Sequence, residues 1–296
     1  MIKRTIDVSE ASYLHLKNRQ LLIDQQGEMV GSVPVEDLGI LILQHPAITI
    51  TQGVLIACQK NNVAVVFCDE RHLPYSTMLP ISEGNQLHNK VLQQQISLGR
   101  SASKRLWKEI VQEKIRQQAL VLKYLGNSDM RLMRLIKQVR SGDPDNCEAT
   151  AAQHYWRSLM GPSFVRNGDA PDGNQLLNYG YSIIRAMMAR ALVGTGLHPA
   201  IGVFHHNQYD GLALADDLME PFRPWIDLLV VQILQQNSEA VIDQETKKRL
   251  LAILEKNILW NNKKTPLLVA SHLLASQLKH CYSDRSVALE FPQWIN

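Results

Sequence analysis

Two hydrophobic periodicities divide this sequence, and the change between them is the strongest constraint on its fold. Up to about residue 70, short β-branched runs alternate with turns, and SYLHLKNRQLLIDQQGEMVGSVPV predicts two strands around a turn at Gln26–Gly27. The run AITITQGVLIACQKNNVAVVFCD adds further strands and one helical segment near Thr51–Lys60. From about Gln86 onward the apolar residues recur at helical spacing. The pattern predicts a small antiparallel sheet or sandwich followed by helices.

A proline-rich break separates the two regions. ERHLPYSTMLPISEGN contains Pro74 and Pro80, which interrupt regular structure. We therefore predict an α+β protein with a small β-rich domain at 1–78, a linker at 79–86 and a larger all-α catalytic domain at 87–296. The helical pattern is clearest in SASKRLWKEIVQEKIRQQALVLKYLG, where glycine follows as a stop and one face is apolar: Leu106, Ile110, Ile115, Ala119 and Leu122.

Composition excludes several classes of protein. The chain has 296 residues, 45% hydrophobic and 20% charged, which is ordinary for a globular protein with a substantial core. No run of eighteen apolar residues occurs, and the start lacks the pattern of a secretory signal, so neither a membrane span nor export is expected. The cysteines are scattered without a CxxC pair, which favours reduced thiols in the cytoplasm: Cys58, Cys68, Cys147 and Cys281.

Positive charge is concentrated between Lys90 and Arg140. This segment holds twelve basic and three acidic residues, whereas the whole chain has a net charge of +3. A solvated helix face normally mixes signs at i,i+4 spacing, and this segment mostly does not. The distribution favours a polyanion such as nucleic acid as a partner.

The stretch GVFHHNQYDGLALADDLMEPFRP places two histidines ahead of three carboxylates that are interleaved with apolar residues. Asp216 and Glu220 are spaced i,i+4 and share a face if the segment is helical, with Asp217 near them. Buried carboxylates must be neutralised by protonation, by an arginine such as Arg223, or by a metal ion. These acidic residues could instead be helix-start signals, and His205 could be a hydrogen-bonded core residue.

A further carboxylate lies upstream in SGDPDNCEATAAQHYW. Asp145 and Glu148 have the spacing of a capping box, so Glu148 could simply close a helix N-terminus. The small residues that follow would instead let a ligand approach it closely. Carboxylates and an imidazole from three segments form the mixed oxygen and nitrogen set that binds manganese or magnesium.

Three long motifs in this order carry a resemblance: CEATAAQHYWRSLMG, NQLLNYGYSIIRAMMARALVGTGLHPAIG and GVFHHNQYDGLALADDLMEPFRP. Together they resemble the CRISPR-associated integrase of spacer acquisition, the first Cas protein, over nearly the whole chain. NQYD followed by LADD is similar to the branch found in type II systems. One departure is His206, which doubles the motif histidine where relatives often carry another polar residue.

The resemblance implies a metal-dependent integrase and endonuclease, which joins the 3′-OH ends of captured double-stranded DNA to the CRISPR repeat by transesterification. It implies Glu148, His205 and Glu220 as catalytic ligands of Mn²⁺ or Mg²⁺. We expect Asp217 to be either a further ligand or a residue that contacts the ligands, and Arg223 to contact the ligands. The resemblance further implies a homodimer, formed through the N-terminal domains, that binds the small second Cas protein and other type II adaptation proteins.

The basic helices would then contact DNA phosphates with little sequence information. We expect Lys104, Arg105 and Lys108 among these contacts. Tyr179 and Arg185, in NYGYSIIRAMMAR, could place donors beside the DNA or pack in the core.

Two other functions fit the same residues. One is a stand-alone nuclease that uses water in place of the 3′-OH group. The other is a non-catalytic helical nucleic-acid-binding protein whose acidic residues only cap helices.

Overall fold

A computed structural model of the protein describes residues 3–81, 85–166 and 173–294. Its N-terminal region contains two four-stranded sheets. The turn at Gln26–Gly27 has φ values of 52° and 85°, as a two-residue hairpin requires, and the predicted helix spans Gln52–Lys60. In chain order the elements are β1 (Arg4–Val8), β2 (Tyr13–Lys17), β3 (Gln20–Gln25), β4 (Glu28–Pro34), β5 (Leu38–Leu43), β6 (Thr49–Ile50), α1 (Gln52–Lys60), β7 (Ala64–Cys68) and β8 (Pro74–Met78).

The prediction of a small antiparallel sheet or sandwich is wrong about the strand directions in the first sheet. The first sheet has the order β1-β5-β7-β8, and both pairs made by β5 are parallel. The second sheet has the order β4-β3-β2-β6, antiparallel except for the short β6. The sequence of β5, LGILIL, explains the difference, because a strand that is buried on both faces reads as a continuous apolar run and is typical of parallel sheets.

The first sheet lies between two hydrophobic cores. Ile40 and Ile42 of β5 belong to the large core of the helical region. Leu41 and Leu43 point the other way, into a smaller core with α1 and the second sheet. Successive residues of a strand face opposite sides, so one strand contributes to both cores.

The rest of the chain is largely helical, which confirms the predicted α+β fold. Its helices are α2 (His88–Ile96), α3 (Arg100–Tyr124), α4 (Met130–Gln138), α5 (Cys147–Met160), α6 (Asn174–Thr195), α7 (Ala213–Met219), α8 (Arg223–Gln236), α9 (Gln244–Leu251) and α10 (Leu267–Ser283). Short 3₁₀ helices occupy Val35–Asp37, Glu220–Phe222 and Ala252–Glu255. Along the described residues, no helix is long and apolar enough to cross a membrane.

A hairpin interrupts the predicted all-α region. Strands β9 (Asn257–Trp260) and β10 (Lys263–Pro266) pair around Asn261 and Asn262, whose φ values of 47° and 62° form a tight turn. The predicted domain ranges stay a prediction: β8 ends at Met78, α2 begins at His88, and residues 82–84 of the linker lie outside the described residues.

Helices α3 and α6 form the centre of the helical region. All five apolar residues predicted for the buried face of α3 are buried, and Gly126 ends that helix with φ of 78°. Gly180 of α6 lies against Ile226 of α8, where a β-carbon would be 2.5 Å from Cγ2 of Ile226. This close approach positions α8 and the segment before it, which carries the predicted site.

Candidate active site

The predicted ligands come from three segments that surround α3. Glu148 is in the first turn of α5, His205 is in the loop between α6 and α7, and Glu220 begins the 3₁₀ helix after α7. Lys114 of α3 lies between the two glutamates. Its Nζ is 2.6 Å from Oε1 of Glu148 and 2.5 Å from Oε2 of Glu220. The structure therefore brings both carboxylates to one cation.

Lys114 is charged in this environment. Its side chain is only 14% exposed, and burial by itself would lower the pKa of the ammonium. The nearby carboxylates of Glu220 and Glu148 outweigh that effect, so the pKa of Lys114 is raised above its usual value. From the sequence, this lysine counted only as part of the basic segment for DNA, and its place in the site was missed.

Glu148 does not close its own helix in the way that the capping-box spacing suggested. Asp143 caps α5 instead, since its carboxylate accepts hydrogen bonds from the backbone N–H groups of Cys147 and Glu148, both at 2.9 Å. Asp145 points elsewhere and pairs with Arg140 at 2.6 Å. The side chain of Glu148 is thus directed toward Lys114.

Glu220 is held by two cations. Arg223 Nε lies 2.9 Å from Oε1 of Glu220, and the guanidinium also stacks over the ring of Tyr181 at 4.7 Å. The side chain of Glu220 is only 8% exposed, and burial alone would raise its pKa. Lys114 and Arg223 reverse this shift, so the pKa of Glu220 is lowered and the group is an anion.

His205 is oriented by a buried carboxylate. Its Nδ1 donates to Oδ1 of Asp217 at 2.5 Å, and Asp217 also accepts from the backbone N–H of Phe204 at 2.9 Å. The hydrogen bond to Asp217 raises the pKa of His205. In the neutral ring this bond leaves the lone pair of Nε2 directed away from Asp217, the arrangement common for histidines that bind metals. His206 is exposed.

The loop around His205 depends on close contacts. A β-carbon on Gly202 would be 2.3 Å from the carbonyl oxygen of His205 and 3.0 Å from Oδ2 of Asp217. Trp107 of α3 stacks on Phe204 at 4.5 Å and meets the edge of His205 at 5.3 Å. Trp107 lies within the basic segment, and the presence of a large aromatic residue there could have predicted this packing against the loop.

Asp216 has a different role from the one expected from its spacing with Glu220. It pairs with Arg185, whose Nε lies 2.6 Å from Oδ1 of Asp216, and Arg185 also contacts Asp210 at 2.6 Å. The helix α7 ends before Glu220 and becomes 3₁₀, with proline at position 221. The two carboxylates consequently have different partners.

The predicted DNA contacts divide into available and engaged side chains. Lys104 is exposed and Lys108 is half-buried, and neither makes an ion pair with a described residue. Arg105 donates to the backbone carbonyls of Arg285 and Val287 in the C-terminal segment. The expectation for Tyr179 is corrected, because its side chain is 0% exposed and leaves no atom for a DNA phosphate.

Four basic residues of the predicted polyanion-binding segment have acidic partners: Arg105, Lys114, Arg116 and Arg140. The other eight, which we call the basic set, pair with no acidic residue in the described ranges: Lys90, Arg100, Lys104, Lys108, Lys123, Arg131, Arg134 and Lys137. Most of the positive charge is therefore available for a partner.

A second buried carboxylate lies behind the site. Asp227 of α8 accepts hydrogen bonds from the hydroxyls of Tyr155, at 2.9 Å, and Tyr181. Burial raises the pKa of Asp227 to about 7. Because Tyr181 also lies under Arg223, this cluster supports the arginine that holds Glu220.

The donor chemistry of the site fits a divalent cation. Two carboxylates and an imidazole suit Mn²⁺ or Mg²⁺, and Oε2 of Glu220 is buried without a well-aligned hydrogen bond from any described residue, although Lys114 lies beside it. In the present arrangement, however, no three His, Cys, Asp or Glu side chains within residues 3–81, 85–166 and 173–294 are grouped closely enough to hold an ion. Lys114 occupies the position between Glu148 and Glu220.

Known proteins with similar sequences cover nearly the whole chain. The family described as CRISPR associated protein Cas1 matches residues 8–258. The CRISPR-associated endonuclease Cas1 of Neisseria meningitidis serogroup C is 34% identical, over 99% of this chain and 97% of the relative. A CRISPR-associated endonuclease Cas1 of Saccharolobus solfataricus is 27% identical, over 88% of this chain and 86% of the relative.

Solved structures show the same fold. A casposase bound to integration product has a TM-score of 0.80 at 20% identity, covering 98% of this chain and 93% of that one. A Cas1 protein from Thermotoga maritima has a TM-score of 0.79 at 16% identity, covering 95% and 97%. A chain in a Cas6-RT-Cas1–Cas2 complex has a TM-score of 0.76 at 16% identity, covering 97% of this chain and 36% of that one. The chain belongs to the CRISPR-associated Cas1 family.

Proposed function

We propose that the protein is a divalent-metal-dependent DNA integrase of CRISPR adaptation, which joins the 3′-OH ends of captured duplexes to the CRISPR repeat by transesterification. The observation that carries this proposal is the convergence of Glu148 and Glu220 on one cation. The imidazole of His205 is held by Asp217 and is near enough to both glutamates for their charges to raise its pKa. The family match, and the likeness to a casposase bound to integration product, support the same chemistry.

The residues have distinct roles in this reaction. Glu148, Glu220 and His205 Nε2 would hold Mn²⁺ or Mg²⁺, which supplies Lewis-acid stabilisation of charge on phosphoryl oxygens. Asp217 fixes the ring orientation of His205 through Nδ1, and Arg223 limits the repulsion of anionic DNA by Glu220. Trp107 packs against the loop and restricts its movement.

The basic set supports the assignment of double-stranded DNA as the partner. Contacts from lysine and arginine to phosphates provide affinity without sequence recognition and depend strongly on salt. Lys104 and Lys108 lie on α3, the helix that also carries Lys114 into the site. DNA bound along this helix would be directed toward Glu148 and Glu220.

We also propose a homodimer formed through the N-terminal domain. Five apolar side chains are exposed on its sheets and α1: Tyr13, Leu16, Met29, Val30 and Ile56. Two of these residues, Leu16 and Ile56, line a groove of ≈ 860 Å³. Such apolar surface on a folded domain marks an interface.

The likeness to a chain in a complex with Cas2 supports the small second Cas protein as a further partner. Other type II adaptation proteins remain expected from the NQYD motif. The four free cysteines are consistent with the cytoplasm.

The main rival function is hydrolysis by the same site, and it is favoured by the names of the relatives, which are endonucleases. A test compares a duplex with 3′-OH ends and the same duplex with 3′-phosphate ends, each incubated with a supercoiled repeat-bearing plasmid and Mn²⁺. Transesterification joins only the 3′-OH duplex to the plasmid, because the hydroxyl oxygen is the nucleophile. Equal nicking of the plasmid with both duplexes, without joined product, would show a nuclease and refute the integrase. Chelation of the metal should abolish joining.

A further inference from the structure

Both carboxylate oxygens of Glu220 lie within ion-pair distance of a cation in this structure. Oε1 is paired with Arg223 and Oε2 with Lys114, at 2.9 Å and 2.5 Å. Glu148 likewise uses Oε1 for Lys114 at 2.6 Å. A divalent ion that binds both carboxylates must therefore replace one of the cations already present.

The two cations differ in how firmly they are held. Arg223 is the next residue after the 3₁₀ helix of Glu220, and its planar guanidinium is fixed against Tyr181. Lys114 reaches the site from α3 on a flexible four-carbon side chain, and its ammonium is a compact charge with rotatable donors. Lys114 also bridges both carboxylates, so an ion placed between them would lie against its ammonium and repel it.

We infer that Lys114 is a resident counter-cation of the metal-free site and that a divalent metal binds by displacing its ammonium from Glu148 and Glu220. This inference rests on the proposed metal-dependent function. In the metal-free protein the lysine keeps two carboxylates together that would otherwise repel each other. Metal binding is then an exchange of one cation for another, and its affinity is lower than the carboxylates alone would give.

The exchange predicts that removing the charge of Lys114 strengthens metal binding instead of weakening it. Lys114→Met removes the competing charge but keeps a long side chain, so Mn²⁺ should bind more tightly, on the order of tenfold. Lys114→Arg keeps the charge and can pair with both carboxylates, so its Mn²⁺ affinity should not exceed that of the wild type. Lys123→Met, on the exposed part of the same helix, makes the same charge change away from the site and should leave affinity unchanged.

Isothermal titration of the full chain with Mn²⁺ measures these affinities without any DNA. Tighter binding by Lys114→Met than by the wild type supports the exchange, and equal or weaker binding overturns it. Thermal unfolding without metal should show a lower midpoint for Lys114→Met, because the two carboxylates lose their shared partner.

A second measurement uses the wild-type protein and is independent of how well the variants fold. Amine acetylation followed by mass spectrometry reports the accessibility of each lysine. Acetylation of Lys114 should rise severalfold when Mn²⁺ is added, whereas that of Lys123 should not change. A rate for Lys114 that stays the same or falls would overturn the exchange.

Failure of the proposed function gives a different result. Metal-induced exposure of Lys114 without strand transfer would contradict the integrase and leave the exchange intact. Metal-dependent strand transfer with Lys114 still protected would contradict the exchange alone.

Discussion

Asp227 allows a quantitative test of the buried cluster behind the site. Its side chain is 2% exposed, and both oxygens accept hydrogen bonds from tyrosine hydroxyls. The pKa of the carboxyl is raised from 3.8 to about 7, chiefly by burial. Between pH 3.8 and about pH 7, Asp227 of the folded protein keeps a proton that it loses in the unfolded chain. Stability from this group is therefore present at low pH and is lost as pH rises toward 7.

The size of the effect follows from the slope of about 1.4 kcal/mol per pH unit for one proton. From pH 5.5 to pH 8 the wild type should lose about 2 kcal/mol of unfolding free energy through Asp227, since the loss ends near pH 7. Asp227→Asn does not titrate, so its stability relative to the wild type should improve by that amount over the same range. The raised pKa of His205 also makes stability fall with pH, but this contribution is common to both proteins and cancels.

Urea denaturation of both proteins at several pH values, in metal-free buffer, measures this difference. Glu239→Gln, an exposed carboxylate after the same helix α8, serves as the control and should show no such trend. If the difference between Asp227→Asn and the wild type is constant with pH, Asp227 is already ionised at pH 5.5. That result would mean that the nearby Arg223 outweighs burial, and it would refute a protonated carboxyl in this cluster.

Three further predictions concern the reaction. Glu148→Ala should abolish strand transfer in a plasmid integration assay but keep duplex binding. The substitution should also lower the free energy of unfolding by roughly 1–2 kcal/mol, because the ammonium of Lys114 loses one of its two carboxylates. Full integration by this variant would show that Glu148 is not a catalytic ligand. His205→Ala should lose metal-dependent strand transfer, whereas His206→Ala should lower mainly DNA affinity, as measured by manganese titration and gel shift; the opposite order would mean that the motif register is wrong by one residue. Lys104→Glu with Lys108→Glu should weaken binding to all duplexes alike and flatten the salt dependence in a fluorescence titration, and an unchanged salt slope would place the DNA elsewhere.

Local patterns predicted the parts of the fold that depend on short sequence separations. The change of periodicity located the β-rich and helical regions, and the turn at Gln26–Gly27 followed from its residues. The parallel pairing of β5 was missed, because it joins segments that are distant in sequence. The second hairpin was missed as well, since its strands are four residues each and Asn261–Asn262 is a weak signal inside a helical context.

The motifs supplied the residues proposed for the candidate site but not its electrostatics. Glu148, His205 and Glu220 came from the motifs, and the structure places two of them on Lys114. Lys114 follows the buried Ile110 by four residues, so it interrupts the apolar stripe of α3, and this position was the available signal. Lys114 is 34 residues from Glu148 in the sequence and farther still from Glu220, so no local pattern could predict these ion pairs.

The shared first sheet has a mechanical consequence. A hinge between two domains requires that few packed side chains cross from one to the other, as at a flexible linker. Here β5 supplies alternate residues to both cores, so bending the chain at this point would open two apolar interiors at once. In a dimer formed through the second sheet, packed side chains would fix the distance between the two candidate sites. If a single DNA duplex had to bend to reach both sites, the DNA and not the protein would then have to deform.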